Sequence, residues 1–283
     1  MKYFWALLLS ICWTSEGIAQ VVAETPGDVF RITLTYSSES KGDNGSSSSS
    51  RGGHKYVERV DAVGPEGTER TFDITLEPGD ERRLIVWQFP ARVLEGPDGT
   101  LELLNRDDLE RRRDAWLEAA EIPAEACGSW YFTWNAFQVE CDPNTILETI
   151  RSITIQPPDL SEGELYEHPM ALSPGRLAAE RSASEGSIYS VVLEVDPDAV
   201  RRAEARSDVV VGEIMREPVL FKSAYAERAK EQISGTIEVT LEARGDGTVW
   251  KRSTSTEIEK RLPDGTSEHE TSLEVIERVP LER

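Results

Sequence analysis

Apolar and polar residues alternate over long stretches of this chain, the pattern of strands with one buried face. Phe30, Ile32, Leu34 and Tyr36 share one face of a strand over Val29–Tyr36, with Arg31, Thr33 and Thr35 on the other. Strand-like residues return at Tyr56–Val63, and Phe72, Ile74 and Leu76 alternate after them. Leu84–Phe89 is apolar apart from Gln88, which predicts a strand covered on both faces. Ile188–Val195 predicts another strand, and three long ones close the chain over 234–243, 248–260 and 267–279. Ser37–Gly53 is small or polar throughout and is expected to form a long flexible loop.

The strands are punctuated by one recurring signature. Pro65-Glu66-Gly67-Thr68, Pro97-Asp98-Gly99-Thr100 and Pro263-Asp264-Gly265-Thr266 share it, and Gly245-Asp246-Gly247-Thr248 is close. Proline presets a turn's first corner and glycine accepts positive φ, so each predicts a hairpin reversal.

A helix is predicted after Asn105, which stands as cap with Asp108 three residues on and Leu104 and Leu109 at staple positions. Leu109, Trp116 and Ala120 form its stripe, and Ile122-Pro123 ends it. Asp142-Pro143 opens a shorter helix carrying Ile146, Leu147 and Ile150. Asp196-Pro197 opens one through about Arg206, and Val219–Gln232 reads as another. Residues 157–186, with Pro157, Pro158 and Pro174, form either a linker or an irregular loop crossing a sheet.

The expected class is α+β: mainly long antiparallel β-strands in a curved meander sheet, with a few short helices packed on it. Residues 20–283 are read as a single β-rich extracytoplasmic domain, with two lobes (20–156 and 187–283, joined by 157–186) as the other arrangement. The two ends share a layout, which convergence on a simple meander explains more readily than duplication.

Two further observations change the picture. Met1–Gln20 carries Lys2, an apolar run from Tyr3 to Trp13, and small residues Gly17 and Ala19, the layout of a secretory signal cleaved after Ala19. The run is short of the roughly 20 residues that span a bilayer. Export would remove Cys12, leaving Cys127 and Cys141, which in an oxidising compartment most simply pair. A metal site between them needs two more ligands, and His54, His168 and His269 are scattered. Between the cysteines lie Trp130, Tyr131, Phe132, Trp134 and Phe137, so the core is expected to assemble there. Tyr131, Thr133 and Asn135 alternate with the core-facing set and are the candidate ligand-binding face.

Acidic residues outnumber basic ones 52 to 31, a net charge of −21 that repels nucleic acid and anionic head groups. No motif names an activity. Ser38-Glu39-Ser40-Lys41 has a serine–lysine spacing that works only on a helix, and it lies in the polar stretch. The histidines read as solvated, Arg106 with Arg111, Arg112 and Arg113 as a solvated helix face, and Arg244-Gly245-Asp246 as a turn. No cofactor, metal or transmembrane segment is expected, and the candidate partners are an apolar ligand or an envelope protein. The leading expectation is a secreted or periplasmic, non-catalytic binding or scaffold protein of a bacterial envelope, with an apolar ligand held against a curved sheet as its binding form. Curved sheets that cup helices occur among extracytoplasmic carriers of hydrophobic ligands, an analogy of fold alone. The alternatives are an extracytoplasmic hydrolase whose residues converge only in space, and a surface adhesion protein.

Overall fold

The computed structural model describes residues 24–75, 82–132, 136–155, 160–181 and 186–281. The expected export signal lies outside them. The first part of the chain contributes β1 (Val29–Gly42), β2 (Ser47–Gly64), β3 (Gly67–Ile74), α1 (Arg82–Ile85), β4 (Ala91–Glu95), β5 (Leu101–Leu103) and α2 (Arg106–Ala119). A short hairpin follows, β6 (Trp130–Phe132) with β7 (Ala136–Gln138), and then α3 (Thr145–Ile153). The middle of the chain holds β8 (Leu165–Tyr166), β9 (Gly175–Arg176), β10 (Ala178–Arg181) and β11 (Gly186–Glu194). The chain ends with α4 (Pro197–Met215), α5 (Phe221–Arg228), β12 (Gln232–Arg244), β13 (Val249–Arg261) and β14 (Ser267–Pro280).

Ten strands form one antiparallel sheet in the order β10-β11-β12-β13-β14-β1-β2-β3-β4-β5. The two ends of the chain meet in its middle, where β1 pairs with β14 from Phe30 opposite Pro280 to Gly42 opposite Glu268. The fold is therefore α+β, a large antiparallel meander with short helices, as the alternation predicts. All four predicted turns sit at strand reversals, with positive φ at Gly67, Gly99, Gly247 and Gly265. In three of them an aspartate fixes the corner. Asp98, Asp246 and Asp264 accept from the backbone N–H two residues on, at 3.0, 2.8 and 2.9 Å.

One sheet face carries the core. Ile233, Ile237, Val239, Leu241 and Ala243 of β12 are buried, while the intervening Ser234, Thr236 and Glu238 are exposed. With Val191, Leu193, Phe72 and Val93 they pack against Ile146, Ile150 and Ile153 of α3, Leu109 of α2 and Val200 of α4. This face also holds a knot of charge that joins the two parts of the sheet. Glu58 on β2 accepts from Arg278 Nε (2.6 Å) on β14 and from Arg70 Nη1 (2.6 Å) on β3. Arg278 and Arg70 reach the Glu24 carboxylate at 2.7 Å each, and Arg70 Nε reaches Glu95 on β4 at 2.7 Å. The Arg278 guanidinium lies 3.4 Å from the centre of the Phe30 ring.

Several expectations need correction. Ser37–Gly53 is a hairpin, because β1 and β2 run through it and pair over Lys41–Ser47. Its backbone groups find partners in neighbouring strands, so order does not require burial. The Tyr36 ring also covers Gly52, where a Cβ would lie 2.4 Å from Tyr36 Oη. Leu84–Phe89 is the end of α1 and a loop, not a strand. Trp87 and Phe89 are buried there as loop anchors, which accounts for the apolar run. Asn105 does not cap α2; its side chain accepts from Arg92 N–H at 2.8 Å and donates to Pro90 O, fastening β4 instead. Helix α4 runs beyond Arg206 to Met215, and α5 is shorter than expected because β12 begins at Gln232.

Candidate binding surface

The stretch between the cysteines is a clamped hairpin. Cys127 and Cys141 are joined, with Cα atoms 5.5 Å apart. Phe132 pairs with Ala136, so the two short strands run antiparallel between the cysteines. The expectation that the core assembles here is not met among the described residues. Trp130 is half-buried and Phe137 is 41% exposed, whereas the core lies on β11, β12 and β2 to β4. Clustered aromatics signal large apolar area, but a hairpin only three residues deep cannot present it to a ten-stranded sheet. Of the candidate ligand-facing set, Tyr131 belongs to β6, and Thr133 and Asn135 lie outside the described residues.

Strand β6 packs against α4, and α4 leads to apolar surface that the alternation did not reveal. Asp196 caps this helix by accepting from Asp198 N–H at 2.9 Å, with Pro197 in the first turn. The helix ends in a Schellman closure: Arg216 takes the left-handed conformation (φ 61°), and Glu217 N–H donates to Gly212 O at 2.8 Å. The chain then folds back, bringing Val219 onto Gly212. Val211 and Met215 flank Gly212 on the helix, and Leu220 and Phe221 follow directly. These five side chains are exposed by 53, 65, 37, 75 and 43% (Val211, Met215, Val219, Leu220, Phe221). Phe221 stacks on Tyr225, with ring centres 6.0 Å apart. The charged residues within this segment are two of each sign, Glu213 and Glu217 against Arg216 and Lys222.

Gly212 makes this geometry possible. A Cβ there would sit 2.8 Å from Glu217 O and 2.9 Å from Val219 Cγ2. Alanine favours a helix over glycine by about 1 kcal/mol, whereas forcing atoms into packed space costs about 1–3 kcal/mol. Gly212→Ala is therefore expected to destabilise the protein by about 1 kcal/mol net in urea unfolding. Unchanged or higher stability would show that Val219 does not seat on the helix.

Polar side chains converge at a second place, on the core face of β13 and β14. Arg252 donates to Ser152 O (2.8 Å) and Thr154 O (3.2 Å) at the end of α3 and lies 3.4 Å from Glu274. Tyr166 and His168 stand beside it. Burial, then the Arg252 charge, holds the His168 imidazole below its usual range, and burial raises the Tyr166 hydroxyl. His168 is thus a half-buried, neutral histidine rather than a solvated one, with Nδ1 accepting from Met170 N–H at 3.2 Å. The arginine is committed to closing a helix C-terminus on the sheet.

The other sequence candidates resolve as structure. Ser38 and Lys41 lie on a strand at a spacing that puts them on opposite faces, and Lys41 pairs with Glu39 at 2.8 Å. Arg106, Arg111, Arg112 and Arg113 pair with Glu110, Asp108, Asp108 and Asp114. Among the described residues no group of His, Cys, Asp and Glu suits a metal ion, and no helix is long and apolar enough to cross a membrane.

No protein-family model matches this chain, and no curated protein sequence does. Among solved structures, the chain is similar to part of lipovitellin, in a structure concerned with lipid–protein interactions. The identity is 10% and the TM-score 0.40, over 90% of this chain and 25% of that one. The chain thus spans about a quarter of its solved neighbour.

Proposed function

We propose that this chain is an exported, non-catalytic binding protein of a bacterial cell envelope, and that it contacts an apolar ligand at the corner between α4 and α5. The observation that carries this reading is the corner itself, where Val211, Met215, Val219, Leu220 and Phe221 leave apolar side chains open to solvent. Contiguous exposed apolar surface is costly in water and marks contact sites. The sheet's apolar face is packed by the chain's own helices, whereas the side chains of the corner are open to solvent. The disulfide and the signal-like start both suit an oxidising, extracytoplasmic setting.

A fluorescent fatty acid titrated into the mature protein tests this. Each apolar side chain buried is worth about 1.5–3 kcal/mol, less for residues already half covered. Leu220→Ser with Phe221→Ser is therefore expected to weaken binding by at least roughly tenfold without altering far-UV dichroism. Equal affinity in the two proteins, or no binding to either, overturns the reading.

A further inference from the structure

Away from the corner, α4 meets the sheet through a second set of charged groups. Lys260 on β13 is 7% exposed and bonds Glu204 of α4, with Glu270 on β14 at 3.1 Å and Glu268 at 3.9 Å. Arg228, at the end of α5, binds Asp208 of α4 through two bonds, at 2.7 and 2.8 Å, and Glu231 Oε1 at 3.0 Å. Arg201 donates to the Glu231 backbone carbonyl at 2.7 Å. Nearby, Asp198 joins the two helices by accepting from Tyr225 of α5, and it also accepts from Arg202 on its own helix. Two of these links, from Arg201 and Arg228, reach Glu231, the residue just before β12.

Two oxygen atoms in this set have no hydrogen-bond partner: Glu204 Oε2 and Glu231 Oε2, both shut off from water. Glu231 as a whole is 6% exposed. Arg228 Nη1 lies 3.3 Å from Glu204 Oε2, without the alignment of a hydrogen bond. The two carboxyl groups thus meet at one guanidinium nitrogen, since the same Nη1 is the one bonded to Glu231 Oε1. Two ionised carboxylates have only acceptors to offer and repel at contact, whereas one proton between them converts the clash into an O–H···O bond and satisfies both orphans. A divalent cation is the other way to join two carboxylates, but Lys260, Arg228 and Arg201 already crowd the site with positive charge.

We propose that Glu204 and Glu231 share a single proton, and that losing it loosens α5 from the helical layer. Burial, then the Glu204 charge, raises the Glu231 carboxyl above its ordinary range, against the pull of Arg228. Burial alone would lower Lys260, but Glu204 and then Glu270 raise it. Arg228 is raised, first by its bond to Asp208, while that bond holds Asp208 low. Lys260, Arg228 and Asp208 thus keep their charges across the window in which Glu231 titrates. Because the folded state favours protonated Glu231, its contribution is complete below the ordinary carboxyl value and is lost as pH rises through the raised value. Deprotonation leaves two facing carboxylates at the junction of α5 and β12, so that segment opens first. This holds whether or not the neighbouring corner binds a ligand.

Hydrogen exchange on residues 221–235 of the intact protein, corrected for intrinsic pH dependence over about pH 4 to 8, tests this. Wild-type protection is expected to fall on the alkaline side by about tenfold for each unit by which the pKa is displaced. In Glu231→Gln the amide N–H donates to Glu204 permanently, so protection is expected to be flat with pH and above wild type at the alkaline end. Flat wild-type protection, or an unchanged pH dependence in the variant, overturns the proposal. Should the variant not fold, carbon NMR of the Glu231 carboxyl in the wild type decides: titration above the ordinary carboxylate range supports it, and titration at or below that range refutes it.

Discussion

Glu58→Ala is expected to lower stability by about 3–5 kcal/mol, the range for removing one member of a buried ion pair. Glu58 is 3% exposed and bonds both Arg278 and Arg70, which are themselves largely buried. Its removal leaves Arg278 to Glu24 and Arg70 to Glu24 and Glu95, so two largely buried guanidiniums lose the most buried of their carboxylate partners. The cavity beside these groups has a volume of about 30 Å³. Thermal unfolding should shift by roughly 10 °C for a chain of this size. Arg111→Ala supplies the contrast. Its side chain is 76% exposed, and exposed pairs contribute about 0–1 kcal/mol. Equal effects from the two substitutions would mean that the knot does not join the sheet.

Replacing Cys127 and Cys141 together by serine is expected to cost about 3 kcal/mol in the chain-entropy account of a loop this short. Far-UV dichroism should hardly change, because the ten-stranded sheet does not run through the hairpin. Proteolysis between Cys127 and Cys141 should rise sharply, since a hairpin of two three-residue strands is not stable alone. Two free thiols in the natively produced protein, or unchanged stability, would remove the bridge from the account.

The long strands were legible because alternation and turn chemistry are local. Phe30, Ile32 and Leu34 announce their face within a few residues, and Asp98-Gly99 announces its reversal within two. Asp196-Pro197 marks a helix start equally well, and the cap is there. What escaped depends on distant partners. Ser37–Gly53 looks disordered until β14, more than 200 residues away, supplies the other half of its ladder. The knot is invisible for the same reason, since Arg278 and Glu58 are 220 residues apart. The corner could have been found in part: Val211 and Met215 stand one turn apart on α4, and Leu220-Phe221 follows Pro218. Only the fold-back, however, brings Val219 onto Gly212 and so returns the second pair to the end of the helix. Neither Glu204 nor Glu231 carries any sequence signal beyond its charge.

Native mass spectrometry of the protein recovered from the extracytoplasmic fraction of its producing cell tests the central claim most directly. The proposed function predicts a mature chain beginning at Gln20, carrying an apolar ligand as added mass that disappears in Leu220→Ser with Phe221→Ser. A bare chain in both proteins, or recovery from the cytoplasm with Met1 intact, would contradict it.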